Sequence, residues 1–279
     1  AQAFCAEQGA QFLSPFDAPD VIEGQATVGM EMLAQLGRAP DLVVLPVGGG
    51  GLSAGVTKLL ATQAPDTRFA FAEPLGGASL KAALQEGAPV ALPAVDSFVD
   101  GAAVARIGAL PFEALQRFTP ADVYLAPEDR ICRTMLEMLN TEGVVLEPAG
   151  ALALDVLGDL GDLSGKTVVA VCSGGNFDFE RLPEVKERAQ RFQGVKKYFV
   201  LRMPQRPGAL RDFLDLLGPN DDIARFEYLK KSARNFGSVL IGIETSDPAN
   251  LITLMARLDR SGFAYRDITN DGILSELLV

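Results

Sequence analysis

Four consecutive glycines, Gly48, Gly49, Gly50 and Gly51, follow the apolar run 42–47 and precede a stretch of helical periodicity, 52–63. With no Cβ in the way, successive backbone N–H groups can converge on one anion. The positive N-terminal end of the following helix then favours a phosphate. Taken alone, the loop is equally readable as a glycine-rich turn packed tightly against a sheet. Nucleotide motifs fit poorly. A P-loop needs a lysine directly after its glycines, and Lys58 comes two turns into the helix. A dinucleotide fingerprint needs Gly-x-Gly-x-x-Gly and an acidic residue about 20 residues on. Glu73 lies near that distance, but four consecutive glycines exceed what that fingerprint asks for.

A second candidate site closes another apolar run. Val168-Val169-Ala170-Val171-Cys172 leads into Ser173-Gly174-Gly175-Asn176, placing a hydroxyl at the carboxyl end of a strand expected to be buried. Ligands of open α/β sheets bind at that end. Ser173 by itself would also suit a helix N-cap.

The elements that must position these residues alternate along the chain. A short strand is expected at 11–13, a helix at 21–36 ending at Gly37, a strand at 42–47, a helix at 52–63 and a strand at 68–72. Helices follow at 80–85, 111–118, 127–140 and 149–160, and a strand at 167–172. Strands apolar on both faces within a β-α-β alternation indicate an α/β fold, an open and mostly parallel sheet sandwiched by helices. The charged stretch 180–197 breaks this rhythm and reads as a helix leading out of the first domain. Beyond it the order is strand 198–203, helix 209–217, strands 223–229 and 238–244, helix 249–260 and strand 263–268. That β-α-β-β-α-β order is a small ferredoxin-like α+β domain. The expected division is therefore 1–194 and 195–279.

Composition excludes several functions. The chain has 279 residues, 48% of them hydrophobic, enough for two cores. A net charge of −11 argues against a nucleic-acid surface, and no stretch is apolar enough to span a bilayer. Cys5, Cys132 and Cys172 are scattered and odd in number, as reduced thiols in a cytoplasmic protein would be. The absence of histidine removes His-based triads and His metal sites.

Several segments together resemble the fold-type II pyridoxal-phosphate enzymes, whose sheet is tryptophan synthase β-like. They are Pro46-Val47-Gly48-Gly49-Gly50-Gly51-Leu52, Glu147-Pro148-Ala149-Gly150-Ala151 and Cys172-Ser173-Gly174-Gly175-Asn176. The segments 20–27 and 99–108 are similar to the threonine dehydratase family. The segments 204–211 and 222–231 resemble the ACT-like regulatory domain of its biosynthetic form.

The resemblance implies that Gly48, Gly49, Gly50, Gly51 and Leu52 hold the phosphate of pyridoxal 5'-phosphate, with Ser173 facing the pyridine nitrogen. Glu147 would lie near the ring or serve as a helix-entry carboxylate. The implied reaction is deamination of L-threonine to 2-oxobutanoate and ammonia. Isoleucine would be the effector, bound near Pro207, Gly208, Leu210 and Phe226, with Leu210 and Phe226 as an apolar wall, in a homo-oligomeric dimer or tetramer. Alternatives are a serine/threonine dehydratase or racemase of the same fold, or a non-catalytic amino-acid-sensing scaffold. The family's Schiff-base lysine lies in a Ser-x-Lys-x-Arg-Gly-Ala segment that does not occur here, so the chain reads as the later portion of the enzyme, with no catalytic lysine of its own. Glu73 with Ser79 offers one carboxylate and one hydroxyl, which would make only a weak divalent site, so a monovalent ion or no ion is expected there. Gly49→Asp is expected to abolish retention of the cofactor, because a carboxylate would face the phosphate; the cofactor's absorbance in the purified variant checks this.

Overall fold

A computed structural model describes residues 2–229 and 236–271. The chain divides into two compact units, Ala1–Asp178 and Phe179–Val279.

The first unit opens with helix α1 (Gln2–Gln8), which the sequence reading lacks. No strand forms at 11–13: Phe12 and Leu13 stay largely exposed, and the described sheet offers them no neighbour. Helix α2 (Pro19–Leu36) starts on a proline and stops at Gly37, whose φ of 64° only glycine adopts readily. Strand β1 (Leu42–Pro46) then runs through the glycine loop into α3 (Gly51–Gln63), followed by β2 (Arg68–Pro74) and α4 (Ser79–Glu86). Next come α5 (Ala109–Leu115), β3 (Val123–Ala126), α6 (Glu128–Glu137), α7 (Pro148–Asp155) and β4 (Val168–Ala170).

The strands pair in parallel in the order β3-β2-β1-β4. β1 is central, and all five of its residues are buried. Val43, Leu45 and Val47 share a core with Val56 and Leu60 of α3, Leu80 of α4 and Leu115 of α5. Val44, pointing the other way, is equally buried, and α7 packs on β1 and β2. Burial on both faces accounts for the unbroken apolar run. β4 departs from expectation: it is an edge strand among the described residues, and its three residues are only half-buried. β3 was invisible to periodicity because Val123-Tyr124-Leu125-Ala126 is too short to show a pattern.

In the second unit, α8 (Leu182–Phe192) precedes β5 (Lys196–Pro204), α9 (Ala209–Leu214), β6 (Asp221–Leu229), β7 (Phe236–Thr245), α10 (Pro248–Ser261) and β8 (Ala264–Asp267). The antiparallel sheet has the order β6-β7-β5-β8. Phe199, Leu201, Ile241 and Ile243 face Phe213 of α9 and Leu251, Leu254 and Leu258 of α10. The division falls between Asp178 and Phe179 rather than at 194/195 because α8 belongs to this unit. Its Glu187 pairs with Lys196 at 2.5 Å, and Gln190 donates to Glu244 at 2.6 Å. The expected similarity at Lys230 and Lys231 lies outside the described residues.

Helix α3 packs closely against α2, most tightly at Gly55. A Cβ built on Gly55 would strike the Ile22 carbonyl oxygen and the Ala26 amide nitrogen, both of them backbone atoms that cannot swing aside. Gly55→Ala should therefore destabilise the chain by about 1–3 kcal/mol, the usual cost of overpacking. Urea denaturation with an unchanged m-value is the check.

Candidate active site

A cavity of 440 Å³ opens at the carboxyl end of β1. Its lining contains every residue expected to bind cofactor: Gly48, Gly49, Gly50, Gly51, Leu52 and Ser173. The volume falls in the range of small-molecule sites, roughly 300–1,000 Å³.

Each glycine of the loop is bare for its own reason. A Cβ at Gly48 would sit 2.8 Å from Ala102 Cα, and one at Gly49 would fall inside the Phe16 ring. One at Gly50 would come within 2.8 Å of Pro111, and Gly50 also holds φ at 89°. One at Gly51 would be 3.0 Å from the Phe16 carbonyl oxygen. The tightly packed turn and the loop that borders the cavity are thus the same object. Gly50 is the N-cap of the 13-residue α3, and no side chain caps that helix. Its first-turn amides have no acceptor within the helix and are available to a ligand at the cavity.

Two expectations change here. The missing side chain at Gly49 points into Phe16, so Gly49→Asp acts by steric displacement of Phe16 rather than by a charge facing the phosphate. Ser173 is exposed and lines the cavity, and no helix begins between it and Phe179, so it is not an N-cap.

Glu147 also lines the cavity. It is the N-cap residue of α7, its amide donates to Gly174 O at 3.2 Å, and its carboxylate lies where a Gly174 side chain would be. Arg130 braces α7 from behind, with Nε 2.7 Å from Asp155 and Nη2 2.6 Å from Asp159. Phe16, Gln25, Gly101 and Ala102 also line the cavity without having been singled out from sequence. Gln25 and the pair Gly101-Ala102 lie within the segments 20–27 and 99–108, which carried family likeness without a role. Among the described residues no lysine lines the cavity: Lys58 is exposed, and Lys81 Nζ donates to Val123 O at 3.0 Å.

Comparison with known proteins bears on this geometry. A family model described as pyridoxal-phosphate dependent enzyme matches residues 1–174. The chain belongs to the pyridoxal-phosphate-dependent enzyme family. Residues 187–278 match the C-terminal regulatory domain of threonine dehydratase. The biosynthetic L-threonine dehydratase IlvA of Bacillus subtilis is 44% identical over 99% of this chain and 65% of its own length. That of Halalkalibacterium halodurans is 43% identical over 96% of this chain and 65% of its own. The processed form of threonine deaminase isoform 2 from Solanum lycopersicum superposes with a TM-score of 0.64 at 36% identity, over 68% of this chain and 55% of that one. The chain thus spans about two-thirds or less of these relatives' length.

In this family member the regulatory unit carries its own cavity, also 440 Å³, lined by Gly208, Leu210 and Phe226 together with Arg206, Arg211 and Tyr228. Pro207 is not among its lining residues. α9 has six residues instead of the expected nine, too short for its N-terminus to serve as an anion site, so the positive charge at this cavity comes from the arginines. Among the described residues no helix is long and apolar enough to cross a membrane.

Glu73 is buried at the end of β2, beside the loop. Its carboxylate accepts N–H bonds from Leu80 at 2.7 Å and Lys81 at 3.0 Å, so it caps α4 rather than facing the cavity. Burial outweighs those bonds and raises its pKa from 4.5 to about 7. Between those values the folded chain holds a proton that the unfolded chain has lost. Stability from this group is therefore fullest below pH 4.5, declines as pH rises to 7, and is flat above. The total is on the order of 3 kcal/mol. Glu73→Gln should flatten that slope in denaturation series at pH 4.5, 6 and 7.5.

Proposed function

We propose that this chain is the cofactor-binding and effector-sensing part of an L-threonine ammonia-lyase that uses pyridoxal 5'-phosphate to form 2-oxobutanoate and ammonia. The supporting observation is the meeting of residues 48–52 and Ser173 in one cavity. The fit to the cofactor is chemical. A loop that admits no Cβ and an uncapped 13-residue helix present amides to a phosphate. Ser173, exposed at the cavity, would offer its hydroxyl to the cofactor's ring nitrogen. The cofactor supplies an electron sink for bond cleavage at the amino-acid α-carbon. A neutral hydroxyl at Ser173, unlike a carboxylate, does not hold a proton on that nitrogen. This keeps the sink shallow and suits prompt loss of the threonine hydroxyl. Glu147 bounds the cavity beside Ser173 and keeps that end polar. Three free cysteines support a cytoplasmic setting.

The regulatory cavity takes the effector, which we read as isoleucine. Leu210 and Phe226 meet its side chain, and Arg206 or Arg211 meets its carboxylate. Leu210, Leu214, Phe226 and Tyr228 are each more than a third exposed around it, which supports a homo-oligomer in which a second copy covers them. The relatives' names carry the substrate and the biosynthetic role. The native full-length polypeptide should release 2-oxobutanoate from threonine when loaded with pyridoxal phosphate, and isoleucine should lower that rate by about fivefold or more. Phe226→Ala should keep the basal rate and lose the inhibition. No product from the loaded enzyme would overturn the lyase reading, and inhibition retained in Phe226→Ala would overturn the effector site.

A further inference from the structure

We propose that Phe16, anchored by Asp17, is the positioning residue that fixes the tetraglycine loop in its anion-accepting shape. The identity of the anion rests on the function proposed above; the fixing itself does not. Four glycines in sequence have more backbone freedom than any other tetrapeptide, and nothing in their own chemistry selects one conformation. The rigidity must come from outside the loop.

A closed circuit of contacts supplies it. The Phe16 ring fills the space beside Gly49, and its backbone carbonyl lies against Gly51, so one residue braces both neighbours of the left-handed Gly50. The next residue, Asp17, accepts N–H bonds from Ala109 at 3.0 Å through Oδ2 and from Leu110 at 2.9 Å through Oδ1. Its own amide donates to Ser14 Oγ at 2.9 Å, which holds the 14–17 turn. Gly108, at the start of that same helix, donates its N–H to Gly49 O at 3.1 Å and packs against Asp17. The circuit therefore runs from Gly49 to Phe16, Asp17, Ala109, Gly108 and back to Gly49. Phe16 also lines the cavity, so the brace borders the space where the ligand sits. A loop held in this way does not have to be ordered by its ligand, and the affinity otherwise lost to ordering is kept.

Amide hydrogen exchange of the chain without ligand tests this directly. In Phe16→Ala and Asp17→Asn, exchange at the Gly108 amide, which donates to Gly49 O, and at the Ala54 amide, which donates to Gly50 O, should quicken about tenfold, while the β1 amides of Val43 to Leu45 stay as protected as in the parent. Unchanged exchange at both amides in both variants would overturn the proposal. Exchange quickened equally in β1 would reduce Phe16 to ordinary core packing and would overturn it too. If Phe16→Ala does not fold, Phe16→Leu and Asp17→Asn carry the same test. Equilibrium dialysis then separates the two readings. Pyridoxal phosphate should bind the variants about tenfold more weakly than the parent, while pyridoxal, lacking the phosphate, binds all alike. A parent that binds neither would remove the cofactor reading and leave the exchange result to decide the brace.

Discussion

The exclusion of a side chain at four successive positions is the constraint on which the first unit depends. Backbone, ring and proline atoms from three separate segments occupy the space beyond Gly48, Gly49, Gly50 and Gly51, so the loop is close-packed on one side. On the other side it borders the cavity, and helix α3 begins there without a capping side chain. Close packing and available amides are complementary. The first fixes where the second point, and a fixed set of donors is what an anion site requires. The same logic extends outward: α3 lies against α2 through Gly55, and α2 brings Gln25 to the cavity.

The far side of the cavity is built from different materials. Ser173 and Glu147 arrive after an edge strand and at the head of α7, and the glycines between them again permit close approach. A side chain at Gly150 would meet the Gly174 carbonyl, and one at Gly174 would meet the Glu147 carboxylate. Two glycine-dependent contacts therefore frame one space. The regulatory unit uses another principle, with an apolar cavity fringed by arginines beside a small antiparallel sheet.

What could be read in advance was local. The glycine loop, the Gly37 stop and the β-α-β-β-α-β order all show in short spacings, and the structure carries them. The family likeness joined Ser173 to the loop, which spacing alone could not do. The misreadings share one physical origin, in that each depended on a partner distant in sequence. Phe16 looked like a turn residue because its contacts are Gly49 and Gly51. Residues 11–13 read as a strand, but no described strand lies beside them. α8 read as a connector because its salt bridge to Lys196 and its bond to Glu244 are tertiary. Pro207 is a separate case: it read as a site residue from its place at a helix start, but that helix has only six residues and the cavity is lined by Arg206 and Gly208 on either side of it. Direction is a separate matter from position, as Gly49 shows: its missing side chain points into Phe16, while the residue lines the cavity.

The central claim is that the tetraglycine amides receive a phosphate. Titrating isotope-labelled chain with pyridoxal phosphate and following its amide resonances tests that claim most directly. The account predicts large downfield proton shifts confined to Gly49, Gly50, Gly51, Leu52 and their neighbours, reproduced in part by inorganic phosphate and absent with pyridoxal. Shifts that leave those four amides untouched, or that cluster instead around Arg206 and Arg211, would contradict it.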